Sequence, residues 1–223
     1  MELTNHTIYT VRNKTFPSNT YLLKNKFNNH CLIFDPGLDA NLIDEELIKQ
    51  NLQPIAIIST HGHFDHIGSV SFFKQKYNIP FYMHESDLKL SRAANFYIKM
   101  GHLNFKINTP TPDFLFKESY EKLSIDGFDL EIYNFPGHSP GSCIIKNNNY
   151  LFSGDILYKN GLGAGSIPKE DKTLLRQSIL KIFDIFINEN LILPGHGASE
   201  YIGWIKNNNT DLINFLFGEN EGR

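Results

Sequence analysis

Four apolar residues, Ile55-Ala56-Ile57-Ile58, lead into Thr60-His61-Gly62-His63-Phe64-Asp65-His66-Ile67-Gly68. Three imidazoles and a carboxylate thus fall within six residues, in a chain that holds 9 histidines among 223. Metal ions of borderline softness take histidine nitrogen and carboxylate oxygen as ligands. On a short extended or turning backbone, His61 and His63 at i and i+2 point to one side, and Asp65-His66 faces a second point nearby. The competing reading is a loop merely rich in histidine, and the density of imidazoles argues against it. A fold that accepts this stretch must hold it at the end of a buried strand and bring further ligands to it.

The remainder of the composition sets few limits. A chain of 223 residues with 41% hydrophobic and 20% charged residues buries one substantial core, and a single domain over residues 1–223 is expected. A net charge of −3 and the scatter of lysine and arginine give no footprint for nucleic acid. Met1 to Thr10 is polar where a signal peptide needs an apolar run, and no run reaches transmembrane length. A cytoplasmic protein without a membrane partner is the expectation, and its oligomeric state stays open. Cys31 and Cys143 lie in apolar, strand-like contexts outside any CxxC pair, so both read as buried thiols.

Residues 7–12, 20–24 and 31–35 read as strands, the last two joined by a hairpin over Asn25 to Asn29. Asp35-Pro36-Gly37 is a turn signal. Helical spacing of Leu42, Ile43, Leu47 and Ile48 predicts a helix over 40–51. A further helix over 69–77 and a strand over 79–83 follow the histidine stretch. A long helix is predicted from Asp87 to Met100, with Ser86 as its N-cap and Gly101 as its stop. Residues 102–116 read as irregular. Strands are predicted at 121–125, 128–135, 142–146, 149–153 and 190–193. A helix over 171–188 has Leu174, Leu175, Ile179, Ile182, Phe183 and Phe186 on its buried side, and one or two short helices occupy 200–217. The α/β alternation places helices over sheet faces.

Three later segments share one grammar, an apolar strand ending in a turn that carries a potential ligand. Leu130 to Phe135 runs into Pro136-Gly137-His138, Tyr150-Leu151-Phe152 into Ser153-Gly154-Asp155, and Leu191-Ile192-Leu193 into Pro194-Gly195-His196. In open α/β architectures, ligand sites gather beyond strand ends where loops converge. Each motif alone is weak, since Pro-Gly-His is often only a turn. With residues 61–66 they supply five histidines and two aspartates, enough for a pair of metals when one carboxylate bridges.

These motifs resemble the HxHxDH signature and later ligand motifs of the metallo-β-lactamase superfamily, in order and over nearly the whole chain. The resemblance implies an αββα sandwich of two mixed β-sheets flanked by helices. It implies that His61, His63 and His138 bind one metal, that Asp65, His66 and His196 bind the other, and that Asp155 bridges. The metals implied are two divalent ions, zinc first, with iron and manganese suited to the same donors.

Within the superfamily, members that hydrolyse β-lactams generally lack a bridging aspartate and are exported. The segments around Asp155 and His196 resemble short-form glyoxalase II-like hydrolases, which cleave thioesters such as S-lactoylglutathione. That likeness implies a dinuclear hydrolase of a small-molecule thioester. The chain departs from glyoxalase II in its short tail after His196 and in the loop Gly161 to Ser166, which lacks basic and aromatic residues. Asp155-x-x-Tyr158 instead resembles the acyl-homoserine lactonase branch, so a lactone or other ester is the alternative substrate. A mononuclear iron oxygenase acting on persulfides is a further member of the superfamily. Inactive scaffolds usually lose ligands, and RNA-processing members carry basic surfaces that this chain lacks.

Bridged metals deliver hydroxide at neutral pH and stabilise the oxyanion. Asp65 is the expected metal ligand and orienter of that hydroxide. Tyr158 either polarises the carbonyl and protonates the leaving group or is a packed aromatic. His84 reads as a capping residue or one that supports a ligand, and Asp35 as a support or a plain turn residue. His6, His30 and His102 read as surface or loop residues. Phe96, Tyr97, Met100 and Phe105 line an acyl pocket or belong to the core.

Overall fold

The computed structural model describes residues 5–165 and 169–218. One sheet runs in the order β1 (His6–Arg12), β2 (Asn19–Asn25), β3 (His30–Phe34), β4 (Gln53–Ile58), β5 (Phe81–His84) and β6 (Phe114–Phe116). Its first three strands pair antiparallel and the rest parallel, with Phe34 opposite Ile58 and Ile57 opposite Phe81. The second sheet has the order β12 (Glu200–Tyr201), β11 (Leu191–Pro194), β10 (Tyr150–Gly154), β9 (Cys143–Asn147), β8 (Phe128–Asn134) and β7 (Tyr120–Ile125). Only its β10–β11 pair is parallel.

Successive residues of the central strands face opposite apolar layers. Leu23, Leu32, Ile58, Ile145, Phe152 and Leu193 meet between the sheets, where the Phe34 and Phe152 rings stack 3.9 Å apart. Their neighbours Leu22, Ile33 and Ile57 turn outward onto α1 (Ala40–Lys49), α3 (Val70–Tyr77) and α5 (Ala94–Met100). Ile144, Leu151 and Ile192 turn the other way, onto α6 (Lys172–Ile185), α7 (Ile202–Asn208) and α8 (Thr210–Phe217). Burial on both faces is why these strands read as unbroken apolar runs rather than alternating ones. The result is the expected αββα sandwich.

Helix α6 shows how sequence sets one of these layers. Leu175, Ser178, Ile179 and Ile182 form one buried stripe, and the Asp171 carboxylate caps the helix by accepting from the Leu174 N–H at 2.9 Å. Leu174 lies on the exposed side instead. The predicted helix from Asp87 to Met100 is interrupted. A 3₁₀ turn over Glu85–Asp87 leads to α4 (Leu88–Arg92), and Ala93 at φ −88°, ψ 5° separates it from α5. The cap is His84, whose Nδ1 accepts from the Ser86 N–H at 3.2 Å, so Ser86 is not the cap. The irregular connection over 102–116 ends in β6, which extends the first sheet. His6 is not on the surface: it is buried in β1 and stacks on Phe128 at 4.8 Å. Both cysteines are buried and free, and burial pushes the Cys31 thiol up to about 12. Among the described residues, no helix is long and apolar enough to cross a membrane.

Candidate metal centre

Every predicted ligand lies just beyond the C-terminal end of a strand. His61 and His63 follow β4, and Asp65 and His66 sit in α2 (Phe64–Ile67), a single helical turn that the sequence pattern did not reveal. His138 follows β8, Asp155 follows β10 and His196 follows β11. Hydrogen bonds join the two sheets at this edge. Cys143 donates its N–H to Thr60 O at 2.8 Å, Asn19 N–H to Gly195 O at 2.7 Å, and the Tyr21 hydroxyl to Pro194 O at 2.7 Å.

The structure brings all seven side chains together. His61, His63 and His138 form one group, Asp65, His66 and His196 a second, and His61, His66 and Asp155 a third that links them; donor atoms within each lie within 4.8 Å of one another. Asp155 Oδ2 is 3.5 Å from His138 Nε2 and 3.2 Å from His196 Nε2, while its Oδ1 is 3.4 Å from His66 Nε2. Asp65 Oδ2 is 3.3 Å from His196 Nε2 and 3.4 Å from His66 Nε2. Two donors bound tetrahedrally at zinc-like distances stand roughly 3.3 Å apart, so the spacing suits metal ligands. His61 Nε2 is buried without a hydrogen-bond partner, an orphan that costs about 1–3 kcal/mol, while His66 Nε2 and Asp155 Oδ1 face each other at 3.4 Å without forming a hydrogen bond. Donor set, spacing and orphaned atoms all fit a pair of divalent ions.

The partners of these ligands orient them. His138 Nδ1 lies 3.0 Å from Gly163 O, so it carries the proton and leaves Nε2 to face Asp155. His66 Nδ1 lies 3.1 Å from Asp35 Oδ2. Asp35 also accepts from the Thr60 N–H and hydroxyl, both at 2.7 Å, so it supports a ligand rather than merely turning the chain. Gly195 leaves room for the Asp155 carboxylate, since a Cβ there would fall 2.1 Å from Asp155 Oδ1.

Asp87 is a second such carboxylate, which the sequence reading took only for a helix start. Fully buried, it accepts from Gly62 N–H at 2.8 Å, Gly141 N–H at 2.7 Å and the Ser139 hydroxyl at 2.6 Å. It therefore ties the loop carrying His61 and His63 to the loop carrying His138. An aspartate opening a helix is an ordinary capping signal, and nothing local distinguishes this one. Burial pushes its pKa up, against the hydrogen bonds from Ser139, Gly141 and Gly62.

Electrostatics divide the cluster. Burial, with the neighbouring imidazoles, drives His61 well below its ordinary pKa and His63 to about 3. At His66 and His196 burial acts the same way, but Asp155 and Asp65 outweigh it; His66 rises well above the usual value and His196 to about 10. Burial likewise opposes ionisation of Asp65 and Asp155, yet His66 and His196 hold both carboxyls below the usual range. Tyr158 stands edge-on to His196 at 5.9 Å, and burial followed by the Asp155 charge raises its pKa and keeps the phenol protonated.

A cavity of about 380 Å³ opens over the cluster and is lined on one side by His63, Asp65, His138, Asp155 and His196. Its other walls include Phe16, Phe64, Leu90, Ala94, Tyr97 and Met100. Of the two alternatives for these residues, Tyr97 and Met100 line a pocket and Phe105 packs against the core, whereas Phe96 is exposed and does neither. His30 is half-buried and paired with Asp126, and His102 is exposed.

The sequence profile of the Metallo-beta-lactamase superfamily matches residues 13–216. The chain is 32% identical over 182 residues to the probable metallo-hydrolase YqgX of Bacillus subtilis, covering 81% of this chain and 85% of that one. It is 30% identical over 200 residues to the hydroxyacylglutathione hydrolase GloC of Haemophilus influenzae, covering 88% and 93%. Among solved structures it resembles the BLEG-1 B3 metallo-beta-lactamase with a TM-score of 0.85 and 31% identity over 92% of this chain and 99% of that one. A di-iron-bound form of TTHA1623 has a TM-score of 0.80 and 27% identity over 90% and 98%.

Proposed function

Because the chain belongs to the metallo-β-lactamase superfamily as a metallo-hydrolase, we propose that its cluster holds two divalent cations and that it hydrolyses a thioester. His61, His63 and His138 would hold one ion, Asp65, His66 and His196 the other, and Asp155 both. The observation that carries the reading is Asp155, which reaches His138 with one oxygen and His66 with the other. Bound there, the ions would supply hydroxide at neutral pH and polarise the scissile carbonyl. Either zinc or iron suits this donor set, and the di-iron-bound relative supports testing both.

Asp65, ionised and turned into the cavity, would orient the attacking oxygen. In hydrolysis a C–O bond forms, the C–S bond breaks, and sulfur leaves with the electron pair. A thiol of pKa roughly 8.5 departs as thiolate without a donor, which suits a cavity whose acidic wall groups are carboxylates. Likeness to GloC supports the thioester class. An ester or lactone is the second reading. Tyr158, protonated beside Asp155 and His196, would be the donor to an alkoxide on that reading, and it lies outside the residues that line the cavity.

The test is a hydrolysis panel of thioesters, S-lactoylglutathione among them, a homoserine lactone and a β-lactam, with zinc, iron or manganese restored. The likeness to BLEG-1 is the reason for the β-lactam. Thioester turnover is expected to dominate. Turnover of the lactone alone would shift the reading to the ester class. Oxygen consumption with one iron per chain would replace hydrolysis by a persulfide oxygenase.

A further inference from the structure

The hydrolytic reading gives no role to the apolar walls of the cavity. On one side Phe16 packs edge-on to Phe64 at 5.1 Å, and Phe64 on Phe105 at 5.9 Å, so this wall is backed by the core. On the other, Leu90 and Ala94 are buried in α4 and α5, and Met100, 59% exposed, marks the mouth. No lysine or arginine is found among the described residues that line the cavity; its charged groups are the carboxylates and imidazoles of the cluster. A glutathionyl arm with its two carboxylates would lose hydration against these walls and meet no counter-charge.

Resting on the hydrolase reading above, we infer that this cavity takes the acyl arm of the substrate, and that the arm is a linear, uncharged, apolar chain. The acyl product keeps the carbonyl carbon, so its head stays at the cluster while its tail lies along Phe16, Phe64, Tyr97 and Met100. A volume of about 380 Å³ holds roughly 13 groups of about 30 Å³ each. With space left for the two cations, the two carbonyl atoms and the attacking water, the chain that fits is at most about eight carbons long. Each methylene buried should strengthen binding about fourfold.

Calorimetric titration of the metal-loaded protein with straight-chain carboxylates from acetate to dodecanoate tests the assignment without any turnover. Affinity is expected to climb about fourfold per methylene to about eight carbons and then level, with a negative heat-capacity change. Met100→Glu, altered at the exposed mouth, should flatten the slope for the longer chains. Where thioesters turn over, kcat/KM for a series of acyl chains on one thiol should follow the same slope and exceed that for S-lactoylglutathione. A flat carboxylate series, a steeper series for alkyl thiols, or an unchanged slope in Met100→Glu would each overturn the inference. Chain-length dependence of binding without hydrolysis of any thioester would overturn the thioester reading and leave the apolar subsite standing.

Discussion

The two halves of the metal centre are built from different chemistry but held by the same device. One half is His61, His63 and His138, and burial keeps the first two imidazoles neutral and therefore ready as ligands. The other joins His66 and His196 to Asp65, where carboxylates set the charge state of the imidazoles. Behind each stands a buried aspartate that binds backbone. Asp35 ties His66 to Thr60, and Asp87 ties the Gly62 loop to the Gly141 loop. Asp155 alone spans both halves. The lesson is that the candidate ligands come from segments that follow strand ends, while buried carboxylates that do not themselves line the cavity hold those segments together.

Removing the shared element should have the largest effect. Asp155→Ala is expected to lower hydrolysis by at least about 1,000-fold, the upper scale for losing one preorganised electrostatic contact. His63→Ala should do the same through one half only. Far-UV circular dichroism should remain that of the native fold, since both side chains lie outside the apolar layers. Full activity in either variant would break the ligand assignment.

The supporting aspartates should separate the halves. Asp35→Asn, which alters the contact to the His66 ring, is expected to weaken that metal equivalent about 10- to 100-fold, and Asp87→Asn, which alters contacts to backbone and Ser139, to weaken the other by less. Competition with a chelator, read by metal content per chain, distinguishes the two. Equal loss of both equivalents in both variants would erase the division. Ser139→Ala, which deletes one of three donors to Asp87, should cost about 1.5–3 kcal/mol in urea unfolding and leave the Asp35 half intact.

Much of this is legible in the amino-acid sequence. The seven ligands were marked by their shared position after apolar strands, and apolar runs such as Ile55 to Ile58 announced burial on both faces. What escaped depended on contacts distant in sequence. Asp87 meets residues 62, 139 and 141, and its local setting looks like a helix cap. The break at Ala93 lies within a segment whose apolar spacing is continuous, so periodicity could not reveal it. His6 is polar and near the N-terminus, but pairing of β1 with β2 and stacking on Phe128 bury it.

The smallest expected effect lies at Asp39, which is neither a candidate ligand nor one of the two supporting carboxylates. Asp39 accepts from the Thr15 N–H at 3.0 Å and also from Lys14; burial opposes its ionisation, yet these donors hold its carboxyl below the usual range. A depressed folded-state pKa contributes stability above the unfolded value and loses it as pH falls through the folded one. Asp39→Asn should therefore lower Tm slightly at neutral pH, with the difference closing in acid and metal affinity unaltered. A change in metal affinity would show that the comparison between halves does not confine the site.

The central claim is a dinuclear centre in which Asp155 joins the halves. Its most direct test is titration of metal-free protein with zinc, and separately with ferrous iron under anaerobic conditions, following metal bound per chain and hydrolysis together. Two equivalents per chain are expected, with activity appearing as the second binds, and one tight equivalent in Asp155→Ala. One equivalent with full activity in the native protein, or full hydrolysis without metal, would contradict it.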